Sequence, residues 1–241
     1  MVPVTRKLSV GITLFLALIL VATSCSLGGS TGSETRERGG SEETTAGPGT
    51  TTQRASSSPT GASETLGSLR VAQPGSMSGY SRESFKHWSD AQENGWDAPS
   101  KSCDARDAAL IRDGKDVKVE NKSCKISSGQ WPDPYTKKTL SDPKSVDIDH
   151  IVPLAEAWRS GASAWNDSQR ERYANDPDVL LSVEAAANRA KGDKDPAAWK
   201  PPNEEEWCDY ATRWIEIKSK YSLSVDEDEK TALQEMLNTC A

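Results

Sequence analysis

The tryptophan and tyrosine residues of this chain are confined to one part of the sequence. All eight Trp and all five Tyr lie between Tyr80 and Tyr221. Aromatic side chains supply much of the buried apolar surface of a small domain, so only this part of the chain can form a substantial core. We therefore predict one folded domain over residues 80–241, preceded by segments of another kind.

The N-terminus has the pattern of an export signal. Arg6 and Lys7 precede an apolar run over residues 10–22, which has the length of a signal-peptide core and is short for a transmembrane span. The run ends in small residues followed by Cys25, and it resembles the lipobox of bacterial lipoproteins. We expect residues 1–24 to be a lipoprotein signal peptide and Cys25 to carry lipid, with ordinary secretion as the alternative.

The segment that follows is rich in Ser, Thr, Gly, Pro and Glu. Residues 26–79 contain no aromatic residue, and such a composition buries too little apolar surface to offset the entropy of ordering. We expect residues 25–79, the lipidated Cys25 included, to form a disordered tether. The sequence then predicts an exported protein on the outer face of the cell membrane, held by its N-terminal lipid alone, or a secreted protein if Cys25 carries no lipid.

The first half of the predicted domain has the pattern of β-structure. The pair Asp113 and Gly114 is a strong hairpin signal, and the valines at 117–119 alternate after it. A second turn at residues 132–134 leads to a segment, residues 146–152, in which apolar residues alternate with carboxylates. These features predict a β-rich N-terminal part.

The second half has helical spacing of its apolar residues. The last two predicted helices form a hairpin, and each begins at a capping-box pair. The four predicted helices are residues 154–160, residues 184–191, a helix that starts at Asn203 and Glu206, and a helix that starts at Ser224 and Glu227. The fold class is therefore α+β.

The cysteine positions predict two disulfides. Cys208 opens the first long helix and Cys240 closes the second, so an antiparallel hairpin would bring them to the same end. Cys103 and Cys124 flank the predicted hairpin and would pair across its base. A zinc site is disfavoured because no two cysteines have the C-x2-C spacing, and disulfides persist in an exported protein. Lipidation of Cys25 accounts for the odd cysteine.

The chain contains two histidines. His87 stands among aromatic residues, and we expect it to be a packing or surface residue. His150 follows Asp149 in the alternating segment, and a carboxylate beside an imidazole could hold a divalent cation and deprotonate water. Neighbouring residues of an ideal strand point to opposite faces, so this role requires a kink or bulge. This segment alone is equally compatible with a surface strand that carries scattered charges.

Two ordered motifs closely resemble those of the HNH nucleases. The first is Asp-His-Ile-Val-Pro at 149–153, and the second is Asn-Arg-Ala-Lys-Gly-Asp at 188–193, with Asp-Val-Leu-Leu at 178–181 between them. The chain is similar in particular to secreted HNH proteins related to the C-terminal domain of GmrSD restriction enzymes. The resemblance extends over residues 80–240.

The resemblance implies a ββα-metal core, a hairpin followed by a helix. The segment of residues 146–152 corresponds to the entering strand, and Asn188 corresponds to a position in the helix. His150 matches the general base that activates water, while Asp149 and Asn188 match the metal ligands. Asp147 occupies a position that could support the metal directly or through water.

Further roles follow from the same resemblance. Lys191 faces the same side of the helix as Asn188 and could contact phosphates, and Arg189 could do so or be a solvated surface residue. Asp178 matches the middle residue of the motif, usually an asparagine that orients the histidine. A carboxylate can accept the same hydrogen bonds but cannot donate. An amide ligand at Asn188 favours Mg²⁺ or Mn²⁺ over Zn²⁺.

The function implied is a metal-dependent endonuclease of low specificity that hydrolyses nucleic-acid phosphodiester bonds, with DNA expected before RNA and a monomeric protein. The formal charge of −7 argues against bulk electrostatic coating of nucleic acid but not against a few phosphate contacts. Activity should fall at low pH as His150 becomes charged. The alternatives are an inactive HNH-fold surface module for nucleic-acid binding or adhesion, and a structural envelope lipoprotein.

Overall fold

The computed structural model describes residues 58–120 and 123–240. Helices and strands are interleaved along this part of the chain, which confirms the mixed α and β composition. In chain order the elements are α1 (Pro59–Ser68), α2 (Ala105–Asp113), β1 (Lys115–Glu120), β2 (Lys125–Pro132), β3 (Thr139–Leu140), β4 (Val146–His150), α3 (Leu154–Ser160), α4 (Asp167–Asn175), β5 (Leu180–Glu184), α5 (Ala185–Lys191), α6 (Trp207–Lys220) and α7 (Glu227–Leu237).

The strands form two antiparallel sheets. One has the order β1-β2-β3, and the other consists of β4 and β5. In the second sheet Asp149 pairs with Leu181 and His150 pairs with Leu180. Helix α5 begins directly after β5 and contacts both strands. The arrangement is thus two antiparallel strands followed by a helix that packs on them.

The pair of β4 and β5 lies between two hydrophobic clusters. Ile151 and Val183 belong to the larger cluster, which includes residues of α1, α3, α6 and α7. Ile148 and Leu180 belong to the smaller cluster around α2 and β2. Because both faces of the pair are covered, polar side chains at the end of β4 lie in a poorly hydrated environment, where their ionisation depends on their immediate partners.

The folded part begins earlier than the predicted boundary at Tyr80. Helix α1 lies within the predicted tether, and its Ala62 and Leu66 are buried in the larger cluster. The helix packs against α6 and α7, and Ser58 caps its first turn by accepting a hydrogen bond from the backbone of Gly61. Composition did not predict it because its apolar face consists of small aliphatic residues.

The predicted hairpin at Asp113 and Gly114 was wrong. Asp113 is the last residue of α2, and Gly114 is the residue at the C-terminal cap. A side chain at Gly114 would lie about 2.7 Å from the Trp131 indole nitrogen and would also meet Val117, so the glycine is needed for close packing. Asp104 starts α2 with a capping box. The N-terminal part is therefore a helix packed on a three-stranded sheet.

The four predicted helices are present, with differences in how they begin. Helix α3 spans the predicted residues, and α5 starts one residue later, with Glu184 as its N-cap. Asn203 caps a 3-10 turn over Glu204–Glu206 that precedes α6, rather than the α-helix itself. Asp226 and Glu229 form the capping box of α7, two residues beyond the predicted pair.

Both predicted disulfides are present. Cys208 and Cys240 join the start of α6 to the end of α7, with their Cα atoms 5.1 Å apart. Cys103 and Cys124 are also bonded, with a Cα separation of 5.2 Å, but they link the residues before α2 and β2 rather than the base of a hairpin. Loop-closure arguments give each bond a stabilisation of about 3–4 kcal/mol.

The predicted signal peptide, Cys25 and the first part of the predicted tether lie outside the described residues. Within residues 58–120 and 123–240, none of the helices combines the length and the apolar character that a membrane crossing requires.

Candidate active site

A cleft of about 220 Å³ lies where the end of β4 meets α5. Three residues singled out by the two sequence motifs, Asp149, His150 and Asn188, line it together. The side chains of Tyr80 and Arg82, from the segment before α2, form another part of its wall. The fold thus gathers a carboxylate, an imidazole and an amide from separate positions in the sequence into one opening.

His150 is buried, with 5% of its surface exposed. Its Nε2 atom lies 3.0 Å from the carbonyl oxygen of Ala174. A carbonyl can only accept a hydrogen bond, so Nε2 carries the proton and Nδ1 retains its lone pair. The rings of Trp88 and His87 lie 6.1 and 6.4 Å from the imidazole ring. The site therefore holds a neutral, oriented imidazole with an available base nitrogen.

Burial lowers the pKa of His150 to about 3, although the hydrogen bond to Ala174 acts in the opposite direction. The imidazole consequently stays neutral through the mildly acidic range. The sequence predicted that activity falls at low pH as His150 becomes charged. Because its pKa is lowered, we expect this fall at a much lower pH than the ordinary pKa of histidine would give.

The carboxylate of Asp149 is held by two buried groups. Its Oδ1 accepts a hydrogen bond from Lys191 Nζ at 2.9 Å, and its Oδ2 accepts one from the Tyr135 hydroxyl at 2.7 Å. Burial raises the pKa of Asp149 and lowers that of Lys191, and their mutual attraction opposes both changes. Lys191 also donates to the carbonyl of His150 at 3.0 Å. The ion pair thus fixes both the charge and the position of Asp149.

The predicted role of Lys191 as a phosphate contact was wrong. Its side chain is fully buried, because α5 lays the face that carries Asn188 and Lys191 onto β4. Arg189 has 76% of its side chain exposed, and its Nε lies 4.0 Å from the same Asp147 oxygen that Asn188 bonds. Neither cation lines the cleft.

Asn188 is positioned by Asp147. The Asn188 amide nitrogen donates to Asp147 Oδ2 at 3.3 Å, and this bond leaves the amide oxygen available as a ligand. Asp147 itself does not line the cleft. Asp147 therefore contacts Asn188, a predicted metal ligand, and does not reach the cleft.

The contacts described for Asp178 do not include His150, so its orienting role stays a prediction. Its side chain is half exposed and pairs with Lys220 at 2.9 Å, and the imidazole of His150 is held instead by the Ala174 carbonyl. The next residue, Asn175, is buried and ties the neighbouring segment down. Its side chain accepts a hydrogen bond from the backbone of Ser89 and donates to the carbonyl of Lys86.

Sequence reasoning missed several residues of the site. Tyr135 comes from the turn after β2, and no motif marks it as a partner of Asp149. Asp193 lies at the end of the second motif and is paired with Arg159 at 2.7 Å. Tyr80 and Arg82 lie far from the motifs along the chain. Only their position at the start of the aromatic-rich region distinguishes them.

The donor atoms in the cleft fit a hard cation better than zinc. Among the described residues there is no group of three His, Cys, Asp or Glu side chains that could hold a metal ion, whereas zinc takes at least three protein ligands. Asp149 offers carboxylate lone pairs beyond the two used by Lys191 and Tyr135, and Asn188 offers an amide oxygen. Mg²⁺ is commonly held by one or two such groups, together with water and substrate phosphate.

Comparison with known proteins relates the sequence to a family of restriction endonucleases. The sequence model of the family described as GmrSD restriction endonucleases, C-terminal domain, matches residues 104–236. An "Uncharacterized secreted protein" of Arthroderma benhamiae is 45% identical over 177 residues, which cover 73% of this chain and 82% of that protein. No solved structure matches significantly. The chain belongs to the GmrSD C-terminal domain family, as its motifs indicated.

Proposed function

We propose that the protein is a metal-dependent endonuclease of low specificity that hydrolyses the phosphodiester bonds of DNA. The observation that carries the proposal is the shared cleft of Asp149, His150 and Asn188. These residues come from the two motifs of a nuclease-related family, and they supply an ionised oxygen, a base and a neutral oxygen ligand.

His150 is the general base of the proposed reaction. Its free Nδ1 takes a proton from a water molecule as the water oxygen attacks phosphorus. The bond from phosphorus to the 3′ oxygen then breaks and leaves a 5′-phosphate and a 3′-hydroxyl, with the proton of the latter coming from solvent. The low pKa of His150 describes the site without substrate. A phosphodiester brings a negative charge beside the ring, which favours the imidazolium.

Asp149 and Asn188 would hold Mg²⁺ or Mn²⁺, which supplies charge stabilisation at the phosphate and at the departing oxygen. Lys191 keeps Asp149 ionised where burial alone would favour its protonation. Tyr135 holds the second carboxylate oxygen in place. Asp147 orients the amide of Asn188 so that its oxygen is free to bind.

A second candidate is a module that binds nucleic acid without cleaving it. This candidate is favoured by the bonds of both Asp149 oxygens to protein partners and by the small number of ligands in the described residues. It predicts DNA binding that does not depend on a divalent cation.

The test is nicking of supercoiled plasmid by the full chain with both disulfides formed. We expect nicking in Mg²⁺ or Mn²⁺, none in excess EDTA, and a loss of about a thousandfold in His150→Ala. Thermal unfolding of that variant checks that it is folded. Activity that survives EDTA would exclude the metal-dependent mechanism, and binding without nicking would establish the second candidate.

We also propose that the protein is exported, tethered through lipid on Cys25, and monomeric. The pair of disulfides suits an oxidising compartment, and the relative from Arthroderma benhamiae is named as secreted. Membrane association that is unchanged in Cys25→Ala would rule out the lipid anchor. Light scattering of the purified protein measures its oligomeric state.

A further inference from the structure

We propose that Arg82 is the phosphate-binding cation of the cleft and acts on the scissile phosphodiester. This inference rests on the proposed endonuclease function and adds a residue that neither sequence motif contains. Arg82 also precedes residues 104–236, which the family model matches. The match therefore assigns it no role.

The first argument is charge. Two carboxylates, Asp149 and Asp193, line the cleft, and a polyanionic substrate would be repelled by them. Among the described residues that line the cleft, Arg82 is the only one with a cationic side chain. The nearby cations are committed elsewhere, since Lys191 is buried against Asp149 and Arg159 pairs with Glu156 and Asp193.

The second argument is availability. Arg82 is exposed, and within the part of the chain that the structure describes, no hydrogen bond or ion pair engages its guanidinium. A guanidinium presents a planar fork of donors that matches two phosphate oxygens. Binding of a phosphate by this group would therefore break no bond that the described fold makes.

The third argument is position. Arg82 begins a 3-10 turn, and its carbonyl accepts a hydrogen bond from the backbone of Phe85 at 3.1 Å. Phe85 is fully buried and packs against the rings of Trp158 and Tyr173. The Ser81 side chain caps the same turn. Arg82 thus has an anchored backbone, and it lines the same cleft as His150.

The experiment compares Arg82→Gln and Arg82→Lys with Arg172→Gln in the full chain. Arg172 is an exposed arginine of α4 that does not line the cleft, so its variant makes the same change in net charge. We expect kcat/KM for plasmid nicking to fall about 100-fold in Arg82→Gln and about tenfold in Arg82→Lys, which keeps the charge but loses the fork. Arg172→Gln should remain within about twofold of the wild type.

A binding measurement separates this inference from the endonuclease proposal. In the His150→Ala background, the affinity for a DNA duplex is measured against salt concentration with and without Arg82→Gln. Loss of one phosphate contact should reduce the slope of log affinity against log salt by about 1. Thermal unfolding should show that Arg82→Gln is as stable as the wild type.

The outcomes are distinct. Wild-type nicking that Arg82→Gln leaves unchanged would overturn the role of Arg82 and leave the endonuclease proposal intact. A wild type that binds DNA without nicking, together with a reduced salt slope in Arg82→Gln, would overturn the endonuclease proposal and support the phosphate contact. An unchanged salt slope, or no binding at all, would overturn the contact itself.

Discussion

Lys191 and Lys218 are both fully buried, but they lie in different kinds of site. Lys191 bonds one carboxylate, that of Asp149, and one backbone carbonyl. Lys218 bonds two carboxylates, those of Glu156 and Glu229, at 2.8 and 2.9 Å. Lys191 thus has one carboxylate partner, whereas Lys218 has two, of which Glu156 is also paired with Arg159.

The two clusters also differ in their surroundings, although both are buried. Asp149 is 4% exposed and lines the cleft, while Glu229 is 2% exposed and bonds the Trp214 indole inside the helical hairpin. A buried ion pair therefore does not by itself identify a functional site. The open cleft beside Asp149, with His150 and Asn188 in it, is the feature that distinguishes the first cluster.

The largest effect on stability is expected for Lys218→Met. This change leaves the buried carboxylate of Glu229 without a cation and that of Glu156 with Arg159 alone, and breaking such a network costs about 3–5 kcal/mol. Urea unfolding measures the loss. Lys220→Met, a change of the same type at a half-exposed surface pair of the same helix, should cost less than about 1 kcal/mol. Equal losses in the two variants would mean that the buried network is not what stabilises the hairpin.

The next effect is the acid sensitivity caused by His150. The unfolded chain binds a proton at this residue near pH 6.5, whereas burial lowers its pKa to about 3 in the folded protein. Its contribution is complete above about pH 6.5 and is lost as pH falls, by about 3 kcal/mol at pH 4. In His150→Ala, the slope of unfolding free energy against pH in this range should be smaller than in the wild type. A slope unchanged by the substitution would contradict the neutral buried state of His150.

Lys191→Met should affect activity more than stability. Without the lysine, burial favours the protonated form of Asp149, which cannot bind a cation, so nicking should fall about 100-fold. The free energy of unfolding should fall by about 2 kcal/mol, less than in Lys218→Met, because one carboxylate rather than two loses the lysine. Lys194→Met, an exposed change close by, should retain activity. Full activity in Lys191→Met would mean that the ion pair of Lys191 and Asp149 contributes to stability and not to activity.

Glu229 should give a pH dependence of the opposite sign to that of His150. Burial raises its pKa to about 7 in the folded protein, and the nearby Glu156 acts in the same direction. The folded state therefore binds the proton more tightly than the unfolded state. The contribution of Glu229 to stability is complete below about pH 4.5, and it falls by about 2 kcal/mol between pH 5 and pH 7.5. Glu229→Gln should remove this fall, and urea titrations at pH 5 and pH 7.5 compare the two proteins.

The smallest effect is expected for Asp178→Ala. The side chain pairs with Lys220 at the surface, so stability should change by less than about 0.5 kcal/mol and nicking by less than about twofold. A large loss of nicking with unchanged stability would support the orienting role that the sequence motif implied.

Local patterns predicted the parts of the fold whose signals are local. The alternation over residues 146–150, the stop at Gly161 and Gly192, and the cysteine spacing all led to correct elements. Asp149, His150 and Asn188 were placed together by the resemblance of two motifs, and the described cleft contains all three.

The missed features depend on tertiary contacts. Lys191 has the spacing of a cleft residue, and only the packing of α5 on β4 buries it. Helix α1 has an apolar face of small side chains that becomes a core element only against α6 and α7. Arg82 and Tyr135 lie outside both motifs. The fold, and not their positions in the sequence, brings them to the site of His150 and Asp149.

The Cys208–Cys240 disulfide gives the C-terminal hairpin a tolerance to backbone cleavage. Exposed positions in connections are preferred sites of proteolytic nicking. Of residues 221–226 between α6 and α7, Ser222 is exposed, whereas Leu223, Ser224 and Val225 are buried. A single cut there leaves both helices joined through the sulfur bridge, so the packed helices need not separate. A nicked molecule would run as two fragments only after reduction. In surroundings that contain proteases, this bond therefore keeps a singly cut molecule in one piece.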